Sequence, residues 1–268
     1  MICFPNSNGC SFSILIFGVI LKSFIKRMLH KTGFELRRFS VEHSENARFI
    51  SMLRANNVNL IFDVGANTGQ FGVLMREIGF DGKILSFEPL SEARESLLKI
   101  SRNDSMWQVA LQSAIGEENG EIEINIAGNS QSSSVLDMLD THVRAAPDSK
   151  YIGKEKVALR KLDSIAPDYM DSNSIVFIKI DTQGYERQVM NGAKKLMSQI
   201  VGLQLEVSLV PLYKGQILFE EVLKILKTEG FNLWSISTVF SDPSTAQVLQ
   251  VDATFFRTPS NNSYDESF

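Results

Sequence analysis

Cysteine is almost missing from this chain of 268 residues: Cys3 and Cys10 are the only two, and both lie near the start. The rest of the chain therefore has no disulfide framework, no thiolate nucleophile and no cysteine-based zinc site. Histidine is as scarce. His30, His43 and His142 stand far apart with no ligand spacing, so no histidine-built metal centre is expected and no metal is assigned. Long apolar runs are lacking too. Ser11 to Leu21, SFSILIFGVIL, is cut short by Lys22, whereas about 20 residues are needed to cross a bilayer. Its positive charges follow the run, the reverse of a signal peptide. Outside the first 40 residues, basic charge is in deficit. Residues 1–40 carry six Lys or Arg against Glu35 alone, a balance of +5, so the net −4 leaves −9 for the remainder. A body this acidic lacks the basic footprint of a nucleic-acid partner, and none is expected.

Residues 1–40 are read as an apolar and basic tail. Taken through KSFIKRMLHKTGFELRR, residues 11–38 suit an amphipathic helix lying on an anionic membrane surface. The competing reading is an inert extension. The expected location is cytoplasmic, at the inner face of the membrane if the tail binds there. Residues 41–257 are expected to form one domain, and 258–268 a polar tail.

What is abundant is the pattern of a parallel sheet. From Leu60 to Pro89 the chain reads LIFDVGANTGQFGVLMREIGFDGKILSFEP. Apolar residues surround Asp63, as in a strand buried on both faces. Gly65 and Gly69 then turn the chain into a helix marked by Phe71, Leu74, Met75 and Ile78, and Lys83–Phe87 forms a second strand that stops at Glu88. Strand, glycine turn, helix and strand with two carboxylates are the anatomy of a site for a nucleotide-derived cofactor.

A helix over 42–57 leads into this unit, and Ser91 is expected to cap a helix over 92–101. Residues 106–111 are a third strand and 121–126 a strand with one wet face. Residues 127–155 are polar and without firm periodicity, and are read as a lid or substrate-contacting insertion. Residues 157–162 are expected to return as an edge strand. Buried strands follow at 174–180, ending in Asp181, and at 200–207, carrying Glu206. A helix closed by Gly230 precedes a final antiparallel hairpin, 231–236 and 248–257. The fold class is thus α/β, a single doubly wound sheet of seven strands, with Asp63, Glu88, Asp181 and Glu206 on the rim where such sheets bind ligands.

The glycine spacing argues about the cofactor. A dinucleotide turn needs a middle glycine, and Ala66 and Asn67 stand there instead. Asp63 would repel a pyrophosphate but attract the ammonium of a methionine moiety. Glu88 suits a ribose in either class.

The runs FDVGANTGQFG, FEP at 87–89, KIDTQGYE at 179–186 with NGA at 191–193, and LEVSLVPLY at 205–213 resemble the FkbM family of S-adenosylmethionine-dependent methyltransferases. The resemblance covers about residues 55–257. It implies the class I methyltransferase sheet, the cofactor S-adenosylmethionine, and O-methylation of a hydroxyl on a sugar, glycan or secondary metabolite. By resemblance Asp63, Gly65, Asn67 and Gly69 form the first cofactor loop and Glu88 binds the ribose. A hydroxyl acceptor must lose its proton, and Asp181 and Glu206 are the candidate bases. Lys179 shares the Asp181 face of its strand and could hold that carboxylate ionised or bind an anionic acceptor. Two other readings stay open: a nicotinamide (NAD)-dependent oxidoreductase, and a non-catalytic, membrane-associated binding protein of the same fold.

Overall fold

The computed structural model describes residues 25–34 and 38–257. Cys3, Cys10, the Ser11–Leu21 run and the polar tail 258–268 lie outside the described residues. The chain divides into two compact units, Met1–Arg48 and Phe49–Phe268. In the first, residues 25–31 are helical. Thr32 Oγ1 donates to the Leu29 carbonyl at 2.8 Å where that helix ends. None of the described helices is long and apolar enough to cross a membrane.

The second unit is built on a seven-stranded sheet of order β3-β2-β1-β7-β8-β10-β9. Its strands are β1 (Leu60–Val64), β2 (Lys83–Phe87), β3 (Trp107–Val109), β7 (Val176–Ile180), β8 (Ile200–Ser208), β9 (Phe231–Ser241) and β10 (Val248–Arg257). All neighbours up to β8 run parallel, and β10 is antiparallel to both β8 and β9. The expected doubly wound sheet with its closing hairpin is therefore present.

Alternation of side chains along each strand sends two apolar sets to opposite faces. Leu60, Phe62, Ile178 and Leu203 join one core with Val189 and Met190 of α6 (Glu186–Asn191) and Val222 and Leu226 of α8 (Phe219–Thr228). Ile61 and Phe177 join the other, against Phe49, Ile50 and Leu53 of α1 (Glu45–Ala55), Met75 of α2 (Gln70–Glu77) and Leu97 of α3 (Ser91–Ser101). The order of strands reverses between β1 and β7, which leaves a crevice at their carboxyl ends.

Two local expectations are corrected. Ser91 is the first residue of α3 rather than its cap; Leu90 holds the cap position, and the Ser91 hydroxyl donates instead to Glu155 at 2.5 Å. Residues 157–162 do not return to the main sheet. They belong mostly to β6 (Tyr151–Arg160), the centre of a separate three-stranded sheet between β4 (Ala114–Ile115) and β5 (Gly120–Ala127). Residues 127–155, read as a lid or substrate-contacting insertion, contain regular structure. They hold the short helix α4 (Asp140–Ala145), and bridges join Ser134 to Asn125 and Met138 to Tyr213.

Candidate active site

Strand register stacks the polar side chains of the sheet in two rungs. Ser86, Asp63, Lys179, Gln204 and Thr254 are successive partners across β2, β1, β7, β8 and β10, and all five are buried. Partners in register point to the same face, so these groups form a polar belt in an otherwise apolar layer. Ser86 Oγ donates to Asp63 Oδ2 at 3.1 Å and accepts from Trp107 Nε1 at 3.0 Å; Gln204 Nε2 reaches Thr254 Oγ1 at 3.2 Å. Two residues nearer the carboxyl ends of the parallel strands, the same faces carry Glu88, Gly65, Asp181, Glu206 and Asp252. All five of these line a cavity of about 470 Å³.

The lower rung explains Asp63. It is fully buried, does not line the cavity, and is pushed up to about 6 by burial, against the lowering pull of Lys179 and Ser86. Its Oδ1 has no hydrogen-bond partner. The Asp63 carboxylate sits one pleat below the crevice, outside its lining. Gly69 also lies outside the lining. It starts α2 at φ 95°, and a β-carbon there would meet Leu97 and Trp107, not the cavity. Gly72, in the next turn, lies under the same Trp107 indole, 2.1 Å from where a β-carbon would be.

Gly65, Asn67 and Glu88 do line the cavity. The Gly65 and Ala66 amides donate to the Phe87 carbonyl at 3.1 and 3.0 Å, so the turn is anchored to the end of β2. Glu88 closes this end: its Oε2 accepts the Asn67 amide at 2.7 Å and its Oε1 the Leu90 amide at 2.8 Å. Burial pushes the carboxyl up to about 7 in spite of those bonds. Leu90, Ala114 and Ile115 add an apolar wall. A carboxylate able to accept from a diol, beside apolar surface for a flat ring, suits an adenosyl group, so these residues fit S-adenosylmethionine.

Asp181, Glu206 and Lys179 meet on the other side of the cavity. Lys179 Nζ donates to Asp181 Oδ2 at 2.8 Å and lies 5.6 Å from the centre of the Phe71 ring. Burial would release the Lys179 proton, but Asp181 and Asp63 hold the ammonium above its ordinary range. Burial and the charges of Asp181 and Asp252 push Glu206 well above the ordinary carboxylate range, against the lowering effect of Lys179 and Gln183. No group of three or more potential metal ligands occurs among the described residues.

Several cavity residues were missed in the sequence. Asp252 was legible as a lone carboxylate within the apolar strand VLQVDATFF. Gln183 lay within the KIDTQGYE run with no role attached: it occupies the turn after Asp181 at φ 53° and bonds both carboxylates. His142 also faces the cavity, its ring between those of Tyr213 and Phe240 at 5.1 and 5.3 Å.

No curated protein matches the chain by sequence. Among solved structures, the chain is similar to magnesium protoporphyrin IX methyltransferase from Synechocystis PCC 6803 with bound SAM. The identity is 13%, with 80% of this chain and 78% of that chain covered and a TM-score of 0.42. It is also similar to the 1,6-didemethyltoxoflavin-N1-methyltransferase of Burkholderia thailandensis, bound to 1,6-didemethyltoxoflavin and S-adenosylhomocysteine. There the identity is 9%, over 96% of this chain and 94% of that chain, with a TM-score of 0.43. Residues 63–233 match the family described as the methyltransferase FkbM domain. That span covers the cavity-lining ends of β1, β2, β7 and β8 and stops before the lining residues of β9 and β10, and the chain accordingly belongs to the FkbM family of S-adenosylmethionine-dependent methyltransferases.

Proposed function

We propose that the chain methylates a hydroxyl of a sugar, glycan or other hydroxyl-rich small molecule, with Gly65, Asn67 and Glu88 holding S-adenosylmethionine. The observation that carries this reading is the acidic rung, with Glu88 on one side of Gly65 and Asp181, Glu206 and Asp252 on the other, all open to one cavity. Residues 129–134, Asn-Ser-Gln-Ser-Ser-Ser, add hydroxyl and amide groups to the same wall, and Phe240 adds a ring. Carboxylates, amides and a ring are the groups that recognise polyhydroxylated ligands.

The bound cofactor supplies an electrophilic methyl group. The protein must then align the acceptor oxygen and receive its proton, and a placed base contributes about 10²- to 10⁴-fold. Glu206 suits that role better than Asp181. Both oxygens of Asp181 already accept bonds, from Lys179 and Gln183, which fix its orientation. Glu206 accepts a bond from Gln183 on Oε1. Its raised proton affinity brings the carboxyl nearer to that of the group it must deprotonate. Lys179 orients Asp181 through its bond to Oδ2. The basic, apolar character of residues 11–38 supports peripheral contact with an anionic membrane at its inner face. Loss of vesicle binding on deletion of residues 1–40 is the corresponding outcome, and retention would oppose it.

The function is tested in two steps. S-adenosylhomocysteine should raise the melting temperature, and Glu88→Ala should remove the shift; stabilisation by NAD alone would point to an oxidoreductase instead. Incubation with methyl-labelled S-adenosylmethionine and fractionated extract should then label a small-molecule or glycan fraction. Label confined to protein would sink the reading.

A further inference from the structure

We propose that Gln183 is a positioning residue that clamps Asp181 and Glu206 into one hydrogen-bonded pair and so sets which of the two can take the acceptor proton. The inference rests on the reading above in assigning those carboxylates to proton transfer. Gln183 Nε2 donates to Asp181 Oδ1 at 2.8 Å and to Glu206 Oε1 at 2.7 Å. A primary amide nitrogen has two hydrogens, and both are spent here on carboxylates, one just beyond β7 and one on β8. The amide oxygen accepts the Tyr213 hydroxyl at 2.8 Å, which fixes the orientation of the amide, since only the nitrogen can donate to carboxylates. The main chain is held as well, because Ser134 Oγ donates to the Gln183 carbonyl at 2.6 Å. Every polar atom of the side chain is therefore committed, and the residue is nearly buried.

This geometry matters because Glu206 stands among like charges. The groups facing it are Asp181 beyond β7, Asp252 opposite it on β10, Lys179 on β7, and the neutral Tyr213 hydroxyl. Two carboxylates that point at one another repel, and each then favours its protonated form. An amide inserted between them donates to both, lowering the cost of the charged pair without adding a charge of its own. Lys179 donates its bond to Asp181 and acts on Glu206 through charge alone. Gln183 is thus the hydrogen-bond donor that supports the ionised form of Glu206 beside that charge, and the link through Ser134 carries the 129–134 wall of the cavity to the same point.

The test is titration of the side-chain carboxyl of Glu206 by carbon-13 NMR in the full chain, with the signal assigned by its loss in Glu206→Gln. In Gln183→Leu the midpoint should move to higher pH, because the bond to the charged form is gone. The acid limb of the pH–rate profile should move with it, and the rate constant at neutral pH should fall about 10-fold or more. Gln183→Met, unbranched and of similar length, is the second variant should Gln183→Leu not fold. An unchanged Glu206 midpoint in a variant that still binds S-adenosylhomocysteine would overturn the clamp. The titration needs no turnover. Failure to methylate any acceptor would thus refute the proposed function, while the NMR midpoint alone decides the clamp.

Discussion

Gly65 and Asp181 touch through their backbones: a β-carbon on Gly65 would lie 1.8 Å from the carbonyl oxygen of Asp181. The end of β1, which leads into the glycine turn, and the end of β7, which leads into Asp181, are thereby packed with no side chain between them. The Asp181 amide donates to the Val64 carbonyl at 3.0 Å and extends the β1/β7 ladder to this point.

Substitution at Gly65 follows directly. Gly65→Ala must displace backbone and adopt φ 83°, a conformation that disfavours any β-carbon. It should cost on the order of 2–4 kcal/mol and abolish binding of S-adenosylhomocysteine. Gly120→Ala, where a β-carbon meets nothing within 4 Å, is the control and should stay within about 0.5 kcal/mol of wild type. Urea denaturation with calorimetric binding measures both, and equal effects at the two sites would show that the close approach does not constrain the turn.

Stability should fall as pH rises from about 4.5 to about 7, and Glu186 should account for part of the slope. Its buried Oε1 accepts the amides of Thr182 and Gly184 at 3.1 and 3.0 Å, yet burial pushes the carboxyl from 4.5 up to about 7. Between those values the folded chain keeps a proton that the unfolded chain has released, so the stabilisation present at low pH is lost as pH rises through the folded value. Asp63 and Glu88, also raised, act in the same direction. Glu186→Gln retains an oxygen acceptor and removes the titration. It should be more stable than wild type at pH 8 by on the order of 1–3 kcal/mol and show a flatter stability profile. An unchanged slope in thermal melts would count against a raised Glu186.

His142 acts with the opposite sign. Burial lowers it to about 4 from 6.5, and its Nδ1 has no partner. Between pH 6.5 and 4 the unfolded chain gains a proton that the folded ring does not, so its contribution is present above 6.5 and lost as pH falls toward 4. Nitrogen-15 spectra of the imidazole should show a neutral ring at pH 5. His142→Phe keeps a ring between Tyr213 and Phe240 and removes an unsatisfied nitrogen, and should change stability at pH 8 by less than about 1 kcal/mol. A charged imidazole at pH 5 would contradict this.

How much of this was legible beforehand differs from residue to residue. The buried runs around Asp63, Lys179 and Glu206 announced parallel strands, because a strand covered on both faces has to be apolar throughout. Gly65 announced a turn, and the position of Glu88 at the end of a strand put it on the rim. Asp63 was equally visible as a charge, and its place one pleat below the rim was not, since strand ends ragged by two residues look alike in one dimension. Ser91 offered a good capping side chain, and Glu155, 64 positions away, took it instead.

Local sequence thus determined the elements, their order and the acidic character of their carboxyl ends, through apolar periodicity and turn chemistry that operate within a few residues. Only the tertiary structure decided which carboxylates share a cavity. That depends on register between strands far apart in the chain, set by the packing of both sheet faces, and a shift of two residues moves a side chain from the crevice to the buried rung below. The same long-range packing brought Asp252 opposite Glu206, laid Ser134 against the turn at Gln183, and set that amide between two carboxylates whose spacing no local rule specifies.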